Sequence, residues 1–431
     1  MKRRVAVMLG AAVIAVGLSV GPTRAATVLV VDNDTVPGGC AAGAAPFGTI
    51  QDAVNAAGPG DLIRVCPGTY TETVTVPIEK HDLTFEGAKA GIDARSRSQT
   101  GESIVTADSV GGAVRLLADD IVWDGFLIAD NIRGPGMFTS PEASGYVVRN
   151  TIFNDNGLGL YLNASGEVLT RVRHNRFTAN NEFEDPIAGN GVYSDQGASC
   201  ILIANNLFER HNGAGVLFAD SGKPQHCVDV ERNESIDDRT FAAFYASSHV
   251  RLVANTVQSQ RDGEPGSAIF IGARNKGVVV KGNHVKSTDG NGIDVRDTGG
   301  PGRPAAPPRD VLIWRNKVRN SKQNGIDVAA SGVGEYVVHG NHAVSNLGVG
   351  VHAGPHTDDA VFGLNIARAN GVDCQDESMG DGTAGTDNTW RRNVGPNDDP
   401  HGICQPNRPK PKPSIPKPSK PKPKQCYPWR N

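Results

Sequence analysis

Beyond residue 20 the 431-residue chain has no apolar run long enough to cross a bilayer, which argues against any later membrane span. Beyond about residue 57 it has no stretch with helical spacing of apolar residues, which excludes a helical bundle. It also lacks the positive balance that nucleic acid demands. The formal charge is only −3, but residues 1–26 carry four positives and residues 405–431 carry eight with no acid. The intervening stretch 27–404 holds 31 basic and 46 acidic residues, a net charge near −15. Such a body repels nucleic acid. An acidic polysaccharide would need a bridging cation or a local basic strip to approach it.

The one apolar run lies at the start. Lys2, Arg3 and Arg4 precede an apolar stretch from Val5 to Val20, and "TRAA" at 23–26 offers small residues for cleavage. Residues 1–26 therefore read as a secretory signal, and the protein as secreted into a space where disulfides persist.

Seven cysteines leave one unpaired. Cys200 and Cys227 each stand six residues before a recurring Asn, which places them at equivalent positions of adjacent repeats and predicts a disulfide between them. Cys40 with Cys66, and Cys374 with Cys404, are expected to tie the two ends of the repeat region. Cys426 is left free, or links two chains into a dimer.

The repeat itself is a tetrad, Gly-apolar-X-apolar, returning every 21 to 33 residues. It reads GLYL at 159–162, GVYS at 191–194, GVLF at 215–218, AFYA at 243–246 and AIFI at 268–271. It continues as GIDV at 292–295 and 325–328, GVHA at 350–353 and GVDC at 371–374. A period of that size means a stacked solenoid.

A second marker runs ahead of the tetrads: Asn150, Asn175, Asn206, Asn233, Asn255, Asn283, Asn316, Asn341 and Asn365. Asn tolerates left-handed backbone, and its amide can bond the same corner on the next rung, so these positions predict an internal Asn ladder. His174, His284, His339 and His342 fall beside these corners, where rung hydrogen bonding accounts for them, and Trp123 and Trp314 read as packing residues on strands.

In front of the repeats, Thr49 is a candidate N-cap for a short helix with Ile50, Ala53, Val54 and Ala57 at helical spacing. Such a helix covers the bare end of a β-stack. The expected organisation is a signal at 1–26, an N-terminal cap at 27–60, coils over 61–375, a covering segment at 376–404 and a tail at 405–431. The tail's alternating Pro and Lys favour an extended, unpacked rod, suited to an anionic cell wall.

The piece "TIQDAVNAAGPGDLIRVCPGTY", followed by Gly- and Asn-marked coils, resembles the right-handed parallel β-helix of the pectin lyase-like superfamily. The resemblance covers about residues 47–375. It implies an all-β, right-handed parallel β-helix with a short capping helix. It also brings in pectate lyases, polygalacturonases, pectinesterases, epimerases and members with no known catalysis. The paired-Asp, His-Gly and Arg-x-Lys set of polygalacturonases is not seen, nor the Gln and Asp-Phe pattern of pectinesterases.

By the strand period of two, the third tetrad residue points outward. That places Tyr161, Tyr193, Leu217, Tyr245, Phe270, Asp294, Asp327, His352 and Asp373 in one column. Rings suit stacking on sugar faces, and carboxylates bond hydroxyls, bind calcium or move protons. Tyr161, Tyr193, Tyr245, Phe270 and Asp373 are thus the candidate carbohydrate contacts.

Asp294, Asp327, Arg296 and His352 are the candidate catalytic set. A lyase would hold calcium on Asp294, Asp297 and Asp327, with Arg296 near the proton removed. A glycoside hydrolase would pair Asp294 with Asp327 across adjacent rungs. A binding module or a structural cell-surface protein would use the face only to hold a glycan. The insertion at 298–308 leaves the stack beside this set and could wall a cleft.

Overall fold

Three sheets, parallel throughout, wind through the chain, and each coil contributes one strand to each. The computed structural model describes residues 25–34, 40, 46–181, 189–223, 225–259, 266–299, 305–331 and 336–405. Residues 1–24 of the expected signal, residues 300–304 of the 298–308 insertion, and the tail from 406 with Cys426 lie outside the described residues. Sheet A has 14 strands, from Val28–Val31 to Thr389–Arg391; sheet B has 12, from Gly68–Thr71 to Ile366–Arg368; sheet C has 13, from Val74–Val76 to Asp398–Asp399. About twelve turns result, an all-β solenoid with very little helix.

The short strands follow from the alternation of the sequence. In each coil one residue set points inward and is fully buried, as with Val172, Ile203, Leu252, Val280, Ile313 and Val338 on sheet A. Stacking identical positions puts like on like. Phe153, Phe177 and Phe208 lie in a column with ring centroids 4.7 and 5.0 Å apart and planes within 6° of parallel. Trp123 is buried against Phe126 at 4.2 Å.

The corner between sheets A and B carries the Asn ladder. The backbone N–H of each Asn donates to the side-chain oxygen of the next, from Asn175 to Asn206 at 3.0 Å, onward through Asn316 to Asn341 at 2.8 Å, to Asn365 to Asn393 at 3.0 Å. Each side-chain amide also donates to that next oxygen and to a strand carbonyl of the previous coil, for Asn316 at 3.0 and 2.9 Å.

Two details differ from expectation. The left-handed residue is the one before each ladder Asn, such as His174, Arg232, Ala254, Arg315 and Leu364, with φ of 55–57°. The Asn itself supplies hydrogen bonds, not backbone tolerance. Asn150 is one step out of register for the same reason: it is left-handed with φ 50° and bonds Asp124, while Thr151 takes the ladder position and donates its N–H to Asn175.

A second ladder, unmarked by a simple repeat, follows the B–C corner. Asn131 donates to Asn156 and Asn156 to Asn180; Asn180 meets His211, and His211 Nδ1 meets Asp238 at 2.6 Å.

At the N-terminal end Thr49 caps the helix Ile50–Ala56, its hydroxyl accepting from the Asp52 N–H. The segment before it is more than a cap. Val28–Val31 is itself the first strand of sheet A, paired with Leu62–Val65. At the other end the coils continue past 375. Thr389–Arg391 adds a strand to sheet A, with Trp390 stacked on Phe362 at 4.2 Å, and Asn393 is the last ladder rung.

Cys40–Cys66 and Cys374–Cys404 are disulfides. Cys200 and Cys227 do come into register on adjacent strands of sheet A, yet Cys200 is a free thiol and Cys227 is disulfide-bonded elsewhere. Parallel in-register neighbours hold their Cα–Cβ bonds parallel. Their Cβ atoms therefore stay near the ~4.8 Å strand spacing, wider than the ~3.8 Å a disulfide prefers.

Replacing a ladder Asn leaves several buried polar groups without partners. Asn316→Ala should lower stability by about 2–4 kcal/mol, read as a fall in the denaturant midpoint. Lys286→Ala, exposed on the preceding coil, should leave that midpoint unchanged.

Candidate functional site

Three consecutive strands of sheet C build the site: Ile293–Arg296, Ile326–Ala329 and Val349–Ala353. Ile293, Val295, Ile326, Val328 and Val351 are fully buried inside, so Asp294, Asp327 and His352 face outward. The register is direct, Asp294 opposite Asp327 and Asp327 opposite His352. The preceding Gly lets the rungs approach: a Cβ on Gly292 would fall 2.6 Å from the Gly325 carbonyl oxygen.

Though outward, these side chains are covered by one another. Asp294 is 4% exposed, Asp327 2% and His352 9%. Arg296, two residues beyond Asp294 on the same face, donates from Nε to Asp294 at 2.8 Å and from Nη2 to Asp327 at 2.6 Å. Its partner in register is Ala329, whose small side chain leaves room for that reach. His352 Nδ1 sits 2.6 Å from the other Asp327 oxygen, and its Nε2 faces Glu377 at 3.7 Å. Asn291 donates to Asp327 at 3.1 Å, and Ser267 Oγ to Asp294 at 2.8 Å. Four ionisable groups thus form one chain of contacts, Asp294–Arg296–Asp327–His352.

The environment separates their proton affinities. Burial, helped by the nearby Asp327 charge and opposed by Arg296, pushes the Asp294 carboxyl above its ordinary 3.8 and towards its neutral form. For His352 burial alone would lower the value, but the hydrogen bond and charge of Asp327, with Glu377, raise it above 6.5. Arg296 is pulled down by burial and more than restored by its two carboxylates, so it stays charged. Burial and the Asp294 charge raise the Tyr245 hydroxyl.

Beside the cluster runs an open groove of about 690 Å³, lined by Leu217, Ala243, Tyr245, Phe270, Asp294 and Arg296 among others. Tyr245 and Phe270 pack with centroids 5.5 Å apart. Tyr245 is not in the column expected for it. The register runs Leu217, Ala243, Phe270, so Ala243 takes the column and Tyr245 lies two residues on, over Gly272.

Tyr161 and Tyr193 lie two rungs or more upstream. With Phe138 they pack edge to face at 5.4 Å, Tyr193 is 5% exposed, and both hydroxyls bond Asp195. They present edges and caught hydroxyls, not the open ring faces a sugar needs. Asp373 is also displaced. It pairs in register with neither Asp327 nor His352; Gln375 stands opposite His352, and Asp373 accepts from Asn370 and Asn397 inside the wall.

The calcium set does not assemble. Asp297 accepts from Ser331 Oγ at 2.9 Å, and Arg296 occupies the space that a cation shared by Asp294 and Asp327 would need. Among the described residues no group of three such ligands converges.

Asn291 and Ser267 went unnoticed in the tetrad pattern. The available signal was an Asn immediately before the tetrad Gly, as in Asn190-Gly191, Asn291-Gly292, Asn324-Gly325 and Asn370-Gly371. In both central coils it bonds the neighbouring rung, Asn324 N–H to Asn291 Oδ1 at 2.9 Å.

This architecture is a parallel β-helix of three sheets. Residues 190–367 match the family described as the right handed beta helix region. No curated protein gives a significant sequence match. Solved structures with a similar fold include a periplasmic alginate epimerase, 12% identical, covering 81% of this chain and 77% of that chain with a TM-score of 0.40. The A-module of a mannuronan C-5 epimerase from Azotobacter vinelandii is 14% identical over 81% and 91%, TM-score 0.40. A surface adhesin of Streptococcus pneumoniae is 15% identical over 78% and 92%, TM-score 0.36.

The raised His352 value has a measurable consequence. Its stabilising contribution is fully present below the unfolded value of 6.5 and is lost as pH rises through the folded one. An NMR titration should place the His352 midpoint above 6.5, and Asp327→Asn should lower it, since burial is then opposed by Glu377 alone.

Proposed function

We propose that the protein is an exported β-helix that seats a polysaccharide chain in the sheet C groove and acts on it at the adjoining cluster. The observation that carries this reading is the direct continuation of the Tyr245–Phe270 wall into Asp294 and Arg296 within one groove. Apolar ring surface against a row of hydrogen-bonding side chains suits a sugar, which presents both. Export is supported by the signal-like residues 1–26 and by disulfides at both ends. Among the described residues no helix is long and apolar enough to cross a membrane.

The chemistry this cluster favours is acid-assisted cleavage of a glycosidic bond. Arg296 holds two carboxylates and keeps its proton, so it is no base for an elimination. Asp294, pushed towards its neutral form, can give a proton to a leaving oxygen. Asp327, one rung away, stands at the ~5 Å separation suited to the partner carboxylate. Arg296 and His352 supply the positive charge that keeps this arrangement together.

A second reading, a glycan binder without catalysis, is favoured by one observation: every oxygen of Asp294 and Asp327 already has a donor within the protein.

Incubation with a polysaccharide panel, with and without calcium, separates the readings by following new reducing ends and unsaturated-uronate absorbance. Hydrolysis predicts reducing ends without that absorbance. Asp294→Asn should then slow turnover by about 10²–10⁴-fold while leaving binding intact, and Tyr245→Ala should weaken binding. Binding without turnover on any substrate selects the binder, and absence of both removes the groove reading altogether.

A further inference from the structure

The corner where sheets A and B meet, across the coil from the groove, changes character in the last third of the solenoid. Around its ladder Asn residues the sequence reads KGNH at 281–284, WRNK at 314–317, HGNH at 339–342, GLNI at 363–366 and RRNV at 391–394. The register stacks Lys281, Trp314, His339, Gly363 and Arg391 in one row of sheet A. His284, Lys317 and His342 stack in the adjoining row of sheet B, with Lys286 and Arg319 beyond. On most of these rungs the residues on either side of the ladder Asn face outward, Val394 after Asn393 being buried. Arg315, Lys317, Arg319, Arg368, Arg391 and Arg392 are all exposed.

No acid interrupts this surface. The stretches 276–288, 311–319, 336–345, 361–369 and 389–394 contain no Asp or Glu. Among the described residues no ion pair neutralises Lys281, Arg315, Lys317, Arg319, Arg391 or Arg392. Upstream rungs of the same corner are mixed in sign, with Arg176 bonded to Glu209 and Arg232 to Glu231.

The concentration of charge is felt locally: partial burial first, then Lys317, Lys286 and Arg319, lower the proton affinity of His284. Trp314 does not simply pack. Lys281 Nζ and the Arg315 guanidinium lie 4.6 and 4.7 Å from its ring, which holds both cations in place on the rigid corner.

We propose that this corner is a docking strip for an acidic polysaccharide, separate from the groove and independent of the reading given to it. Five rungs at ~4.8 Å give a strip about 19 Å long. Its cations sit on a ladder that cannot spread, so a linear chain with regularly spaced carboxylates or sulfates meets a preformed row. Residues 27–404 are near −15 overall, which makes this strip a place on the coils where such a chain can approach. A wide nucleic acid duplex would run off it onto repelling surface. Both neighbours of the Trp314 ring are cations, which leaves its faces less available to a base.

The probe is dextran sulfate, with neutral dextran as its uncharged counterpart, and the readout is affinity and its salt dependence for the full chain. The parent should bind dextran sulfate and not dextran, more weakly as salt rises. Lys317→Glu/Arg319→Glu should bind about tenfold or more weakly at low salt with a shallower salt slope, and the neutral pair Lys317→Gln/Arg319→Gln should fall between. Unchanged thermal melts exclude unfolding as the cause.

Equal loss on placing the same charges at Lys89 and Lys223, many rungs upstream of the strip or on another corner, overturns the proposal. So does retention of full affinity by the corner variants, with binding lost when the six tail lysines become Gln. Stronger binding of single-stranded DNA or anionic vesicles than of dextran sulfate overturns the choice of partner. Tyr245→Ala should leave this binding unchanged, which keeps the fate of the groove reading distinct.

Discussion

The structure depends on holding each coil at a fixed height above the last with side chains as well as backbone. Strand pairing alone sets the ~4.8 Å spacing, but a parallel sheet can slip. The Asn ladder prevents this at the A–B corner, because each amide bonds a rung in both directions from a fully enclosed position. It also secures the left-handed residue before it, a conformation that Arg315 or Leu364 would not hold alone. Everything outward inherits that registration. Asp294 lies beside Asp327, and cations pile up along one corner, because the ladder permits no other offset.

That registration makes charge the dominant variable of the outer surface. Two carboxylates one rung apart would repel. Arg296 lies across them, and His352 closes the far side of Asp327. Burial then divides their roles, one carboxyl pushed towards a proton and one held as acceptor for Arg296, Asn291 and His352. The same stacking with no compensating acid yields the basic corner. One scaffold thus builds a nearly neutral cluster on one face and an uncompensated positive strip on the opposite corner.

How far the site was legible follows from parity. In a strand the side-chain period is two, so a misregistration by two residues keeps every residue on its face. Tyr245 and Asp373 were assigned with correct parity and the wrong rung neighbour, each displaced by two, and alternation cannot detect that slip. Asn150 shows the complementary error: a shift by one moved the ladder role to Thr151, visible only in the bonds. Cys200 and Cys227 were correctly aligned, but alignment is not convergence of their side chains.

Sequence by itself determined the solenoid, its period, the helix over its open end, the ladder at one corner, and the adjacency of Asp294, Asp327 and His352. These follow from local alternation and a repeat, which any single coil carries in its own residues. Only the tertiary structure decided that Arg296 bridges the two aspartates, that Asp297 turns to Ser331, that Tyr161 and Tyr193 are closed off, and that eight cations gather with no acid among them. Those outcomes depend on which side chains of different coils meet, and distances between coils are set by register and by the reach of long side chains, neither of which is written in the repeat.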